Sequence, residues 1–270
     1  MKKLLNLCLL SVIMLASSCK DEDYVYVSPD YSWDQADTLE KAPSVLISIG
    51  DVSFKMIEVE GGSFTMGAKL LLNGLDELPT HRVTLSTYYI GKTEVTQELW
   101  QAVMGSNPSY FSGQKRPVEQ VSWNDCQVFI NKLNALTGRQ FRLPTEAEWE
   151  FAARDGNKRR LNRKYSGSGI IDYVACYGGN SNGQTQEVAK RKSNELGIYD
   201  MSGNVREWCQ DWYGEYGNSE QTNPTGPVSG IYRVNRGGSW SDTADNCRFR
   251  HRTYDKPSFS SPQVGLRLAL

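Results

Sequence analysis

Apolar and polar positions alternate between Val45 and Val59, the period-two pattern of half-buried strands. Gly61-Gly62-Ser63-Phe64-Thr65-Met66-Gly67 then reads as a turn leading into another strand. The period changes after Thr96, which can cap a first helix running through Met104 that Gly105 stops. Ser122 starts a second helix, with Asp125 three residues on as a variant capping box. Its apolar positions Cys126, Phe129, Ile130, Leu133 and Leu136 recur at three- and four-residue spacing, and Gly138 ends it. Thr145-Glu146-Ala147-Glu148 is a full capping box after Pro144; it opens a third helix through Arg154 that Gly156 terminates. No long helical pattern follows residue 155, so the second half is predicted as loops and short strands.

The first 44 residues differ in character. Lys2 and Lys3 precede an apolar run from Leu4 to Leu15, which has the length of a signal-peptide core and is too short to span a bilayer. Ala16-Ser17-Ser18 then lead to Cys19, the arrangement of a bacterial lipobox. Residues 1–18 are therefore predicted as a lipoprotein signal peptide and Cys19 as the lipidated residue; an ordinary secretory signal with an incidental cysteine is the alternative. Lys20-Asp21-Glu22-Asp23 is either a solvated linker or a sequence similar to the surface-export signal of Bacteroidetes lipoproteins. Residues 19–44, polar and acidic with Pro29 and Pro43, read as a tether, and the globular domain is placed at 45–270. The expected location is the bacterial outer membrane or cell surface, reached through a lipid anchor only, with its periplasmic face left open.

Composition narrows the function classes. A net charge of −1, with charges spread along the chain, leaves no nucleic-acid footprint. Seven Trp, fourteen Tyr and 24 Gly point to a loop-rich domain pinned by aromatic side chains. Apart from Cys8 and Cys19, the cysteines are Cys126, Cys176, Cys209 and Cys247, which outside the cytoplasm permit disulfides in three alternative pairings. His81 and His251 are the only histidines, so a three-histidine metal site is impossible.

Several blocks recur in a fixed order. They are Glu77-x-Pro79-x-His81-Arg82-Val83, Tyr89 to Thr96, Phe141 to Glu150, Asn194 to Trp208, Arg233 to Trp240, Asn246-Cys247-Arg248 and Gly265-Leu266-Arg267-Leu268. Together they resemble the formylglycine-generating enzyme (sulfatase-modifying factor) family over roughly 45–270. The resemblance implies an α+β fold, a loop-rich variant of the C-type-lectin-like scaffold with few helices and short antiparallel strands. Enzymes of that family oxidise a substrate cysteine to formylglycine with O2, using two cysteines that bind one copper ion. The second of these is present as Cys247, but the first is Asp242. A hard carboxylate suits Cu(I) poorly, so the resemblance implies a vestigial or divergent site without copper. Asp242 and Cys247 serving another metal or an acid–base step, and Cys247 being a buried thiol or disulfide partner, are the other readings.

The same resemblance places Ser239 and Trp240 on the floor of the active site. It assigns a structural Ca2+ to the Asp200 turn, with the Asp200 side chain and the carbonyls of Met201, Gly203 and Val205 as ligands; a Gly-containing tight loop can aim several hard oxygens inward. The alternative is a turn whose Asp200 is satisfied by backbone N–H groups. A second family calcium site would involve Asn180 and Ser181, but its downstream segment is shortened here. Arg206 stands where the family usually has tryptophan and is expected to face solvent. Arg233, Arg236, Arg248, Arg250 and Arg252 either meet an anionic ligand, with Arg248 and Trp240 as binding residues, or balance Asp242, Asp245 and Asp255.

Two function classes follow. One is a non-catalytic binding or assembly module for a glycan or protein ligand at the cell surface. The other is an enzyme, a divergent formylglycine-generating oxidase or sulfatase-maturation factor.

Overall fold

Strands Ser44–Ile49 (β1) and Val52–Val59 (β2) pair antiparallel around a tight turn, and Tyr88–Gly91 (β5) adds to the other edge of β2. The computed structural model describes residues 42–68, 75–158 and 163–270, all within one compact unit. Cys19, the signal peptide and nearly all of the tether lie outside the described residues. A second sheet joins Gly62–Met66 (β3), His81–Leu85 (β4) and Gln221–Thr222 (β7). A third has the order β10-β6-β8-β9, with Arg206–Trp212 (β6), Arg233–Arg236 (β8), Arg252–Asp255 (β9) and Val264–Gly265 (β10). Most pairings are antiparallel; β10 on β6 and β7 on β4 are parallel. This is the α+β, loop-rich architecture expected.

The three helices form where their caps predict. Gln97–Met104 (α1) begins at Thr96, whose hydroxyl accepts from the Leu99 N–H, and ends at Gly105 in the left-handed region. Trp123–Thr137 (α2) carries the reciprocal Ser122–Asp125 capping box and stops at Gly138. Its Cys126, Phe129, Ile130 and Leu133 are buried, whereas Leu136 is 60% exposed. The apolar face is thus narrower than the spacing implied; on its buried side α2 packs against α1, where Trp100 stacks on Phe129. Glu146–Ala153 (α3) has its capping box at Thr145 and Glu148. Arg154 is its C-cap, and Asp155 rather than Gly156 makes the first left-handed turn, at φ 71°. Gly156 instead opens a 3-10 turn through Lys158.

Helix α3 is buried along its whole length, and this organises the domain. Its three glutamates need cationic partners in a place without water. The Arg252 guanidinium donates to both oxygens of Glu146 at 2.6 and 2.8 Å, and Arg142 pairs with both oxygens of Glu148. Arg236, fully buried, reaches Glu150. Behind α3, the Trp149 indole and Arg267 both donate to Glu207. Of the C-terminal arginines, Arg236 and Arg252 therefore balance α3 glutamates and Arg248 balances Glu77, rather than Asp242, Asp245 and Asp255.

Residues 264–270 run through the centre. Tyr89 and Leu270 exchange backbone hydrogen bonds, the Gly91 N–H donates to Leu268, and the Val95 N–H donates to Leu266. Arg142 and Ala269 do the same on another side.

Candidate functional site

The turn between β8 and β9 builds the cysteine site. After β8 the chain passes Gly237 and Gly238, both in the left-handed region, and reaches the 3-10 turn Ala244–Cys247. Cys247 is fully buried in a small apolar cluster with Tyr165, Ile171, Val174 and Ala175. A Cβ at Gly238 would lie 2.7 Å from its sulfur, so glycine there lets the backbone pass directly over the thiol. Burial pushes this thiol well up from its ordinary value, and the neighbouring Asp242 charge pushes it further. Burial thus favours the neutral thiol at Cys247 over the thiolate.

Asp242 is engaged on both oxygens. The Arg206 Nε and one terminal nitrogen donate to it at 2.9 and 2.6 Å in a bidentate pair, and the Ser239 hydroxyl donates at 2.7 Å. Burial alone would raise its carboxyl; the Arg206 guanidinium, with help from Ser239 and Asn246, outweighs this and holds it below the usual value. The Arg206 side chain is 20% exposed and Asp242 8%. Arg206 thus faces inward to Asp242, which corrects the solvent-facing expectation. These residues fit Cu(I) poorly: the pair offers one thiol and a hard carboxylate already engaged by Arg206 and Ser239.

Around this pair, the Trp240 indole donates to the Pro262 carbonyl and its ring meets Phe111 edge-on at 5.1 Å. Its backbone N–H donates to Asn204, which ties the cysteine turn to the Asp200 turn. Ser239 and Trp240 are therefore both at the site. Arg248 is buried and bonded twice to Glu77, at 3.0 and 2.7 Å, so it offers no free charge to a ligand. Arg233 lies between the Trp123 and Trp212 rings, 3.9 and 3.5 Å from their centres. The four cysteines Cys126, Cys176, Cys209 and Cys247 are all buried and unpaired.

Asp200 sits at φ 59° and is 3% exposed. One carboxylate oxygen accepts from the Ala189 N–H at 2.7 Å, while Oδ1 is buried without a hydrogen-bond partner. Glu94, also buried, accepts from the Asn204 side chain and the Val205 N–H. Burial pushes Asp200 up to about 6, and burial, then the nearby Asp200 and Glu207, raise Glu94 well above its ordinary value. Arg267 is the cation that relieves them, and it is already bonded to Glu207. An orphaned buried carboxylate oxygen with excess negative charge around it fits a cation. Among the described residues no three His, Cys, Asp or Glu side chains converge on one point, so backbone carbonyls would have to complete any shell. At the other place considered, Asn180 uses its side chain on the Tyr177 N–H, Asp172 and Ala175.

Residues 51–270 match the sulfatase-modifying factor enzyme 1-like domain. The chain belongs to that family. It is 33% identical over 267 residues to the chaperone protein LppX of Paenibacillus barcinonensis, covering 80% of this chain and 89% of that protein. It is 33% identical over 185 residues to the formylglycine-generating enzyme of Mus musculus, covering 63% of this chain but 48% of that enzyme. Among solved structures, Treponema denticola variable protein 1 superposes with a TM-score of 0.78 at 36% identity, over 84% of this chain and 98% of that one.

The two departures seen in the sequence, Arg206 and Asp242, are partners in one ion pair. Each residue makes sense only with the other: an unpaired carboxylate or guanidinium at this depth carries a desolvation cost of several kcal/mol, on the order of what a bidentate pair recovers. Reading positions singly hid this, since they are separated by 36 residues of sequence. Glu94 was also missed as a site residue, although it lies inside the Tyr89-to-Thr96 block; its buried, charged position is the signal that singles it out.

Proposed function

We propose that this chain is an exported lipoprotein whose formylglycine-generating-enzyme-like domain binds a glycan or protein ligand and does not oxidise cysteine. The Arg206–Asp242 ion pair carries the reading: it stands where the family's first copper-binding thiolate would be, beside a buried Cys247. The likeness to a protein named a chaperone supports a role in protein binding. The anchor proposed is a lipid at Cys19; among the described residues no helix is long and apolar enough to cross a membrane. Metabolic labelling with a radioactive fatty acid tests that anchor: label should enter the wild-type chain and not Cys19→Ala.

Copper tests the catalytic half. The wild-type chain titrated with Cu(I) under reducing conditions should show no tight site, and Arg206→Trp with Asp242→Cys should create one. Tight one-to-one copper in the wild type that disappears in Cys247→Ala would restore the oxidase reading.

We also propose that Ca2+ occupies the Asp200 turn as a structural ion, held by the unpartnered Asp200 oxygen and the carbonyls of Met201, Gly203 and Val205. A bound ion at about 100 times its dissociation constant adds about 2.7 kcal/mol of stability. A calcium chelator should therefore lower the melting temperature of the wild type. Asp200→Gly, which tolerates the positive φ while removing the carboxylate, should abolish that response.

A further inference from the structure

A cleft of about 510 Å³ is lined by the start of α3, the end of β6, the 214–227 loop and Arg252, and includes neither Asp242 nor Cys247. One side chain in it is unusual. Asp211 is 4% exposed, and its Oδ2 accepts from the Glu146 N–H at the first turn of α3. Its Oδ1 faces the cleft with no hydrogen-bond partner among the described residues. Gly226 keeps the approach open: a Cβ there would lie 3.1 Å from Oδ1, and φ is +72°. The other charged lining groups are Glu146, Glu215 and Arg252, besides His81. Arg252 already donates to Glu146, Asp76 and Gly214, so its charge is neutralised where it stands. Glu215 is exposed at the mouth, and Trp212, Pro224 and Pro227 supply apolar wall.

We infer that this cleft binds a cationic side chain, arginine or lysine, presented by a protein partner and anchored on Asp211. Glu146 and Arg252 balance each other and Glu215 lies at the mouth, so Oδ1 of Asp211 is the acceptor left at the buried end. A guanidinium or ammonium placed there gains a charge-assisted hydrogen bond to Oδ1, while its aliphatic stem lies against Trp212 and the prolines. The cleft is larger than one side chain, so neighbouring residues of the partner enter with it. Burial, then the charge of Glu146, push Asp211 up to about 8, with the Glu146 N–H, Glu148 and Arg252 as smaller influences. Arg142 and Arg233 also sense its charge. Binding a cation therefore releases a proton from Asp211 near neutral pH. This deepens the binding-module reading by naming the ligand class, yet uses none of the residues on which the absence of oxidase chemistry rests.

The test is calorimetric titration of the full chain with Nα-acetyl-arginine amide, its neutral citrulline counterpart and maltotriose. Expected is arginine binding at least tenfold tighter than citrulline, tightening as pH rises from 6 to 9, and weakened at least tenfold by Asp211→Asn. Should Asp211→Asn fail to fold, the arginine-to-citrulline ratio on the wild type decides alone. Equal affinity for arginine and citrulline, or no arginine binding, overturns the inference. So does Asp211-dependent binding of maltotriose without arginine binding, which would assign the cleft to a glycan. None of these outcomes touches copper binding at Cys247, so the two proposals fail separately.

Discussion

The Arg206–Asp242 pair makes a quantitative prediction. Exposed ion pairs contribute about 0–1 kcal/mol, and removing one partner of a fully buried pair costs about 3–5 kcal/mol. With side chains 20% and 8% exposed and three short hydrogen bonds on the carboxylate, this pair lies between the limits. Arg206→Met should therefore cost about 2–3 kcal/mol, since Asp242 keeps only Ser239 and Asn246. At about 2–4 °C per kcal/mol for a domain of this size, the melting temperature falls by about 5–10 °C. Asp242→Ala removes the charge but strands Arg206, and the double variant should recover about 1.5–2 kcal/mol of the summed losses. The assay is a double-mutant cycle from urea midpoints at pH 7. It should be repeated towards acid, because a carboxyl with a depressed folded pKa stabilises above its unfolded value, about 3.9, and loses that contribution as pH falls through the lower folded value. A coupling energy of about 0.3 kcal/mol or less at pH 7, within the error of additivity, would refute the claim that the two departures are partners.

Other outcomes follow from the buried charges and the core. Glu207→Leu leaves Arg267 and the Trp149 indole without their acceptor and should cost about 3–5 kcal/mol in urea unfolding. Asp211 has a folded value raised to about 8, so the folded state holds its proton more tightly than the unfolded chain. Its contribution is present at acid pH and lost as pH rises through 8; stability should decline from pH 6 to 9 in the wild type and stay flatter in Asp211→Asn. On α2, Leu133→Ala should cost about 2–5 kcal/mol, while Leu136→Ala, at 60% exposure, should stay within about 0.5 kcal/mol. Equal effects at the two positions would contradict the burial pattern.

Much of the fold was legible in the sequence because its signals are local. All three N-caps and the first two C-cap glycines act where Thr96, Ser122, Thr145, Gly105 and Gly138 stand, since capping needs only a few neighbouring residues. What escaped was non-local. Whether Leu136 is buried depends on what covers that side of α2, and which anion Arg236 or Arg252 meets depends on where α3 is placed. The same holds at the site. Asp200 was readable from a turn motif, whereas the partnership of Arg206 with Asp242, and the solitary Oδ1 of Asp211 over Gly226, exist only once distant segments meet.

The position of residues 264–270 bears on how the chain is made. They hydrogen-bond to Tyr89, Gly91, Val95 and Arg142, and Arg267 is the counter-ion of Glu207. Everything they join is synthesised earlier, so a growing polypeptide reaches the ribosome exit with its keystone still missing. Until those seven residues emerge, Glu207 has no cation and the strand around Tyr89 has an open edge. Closure of the core is thus a late event of synthesis, set by the order of the strands along the chain.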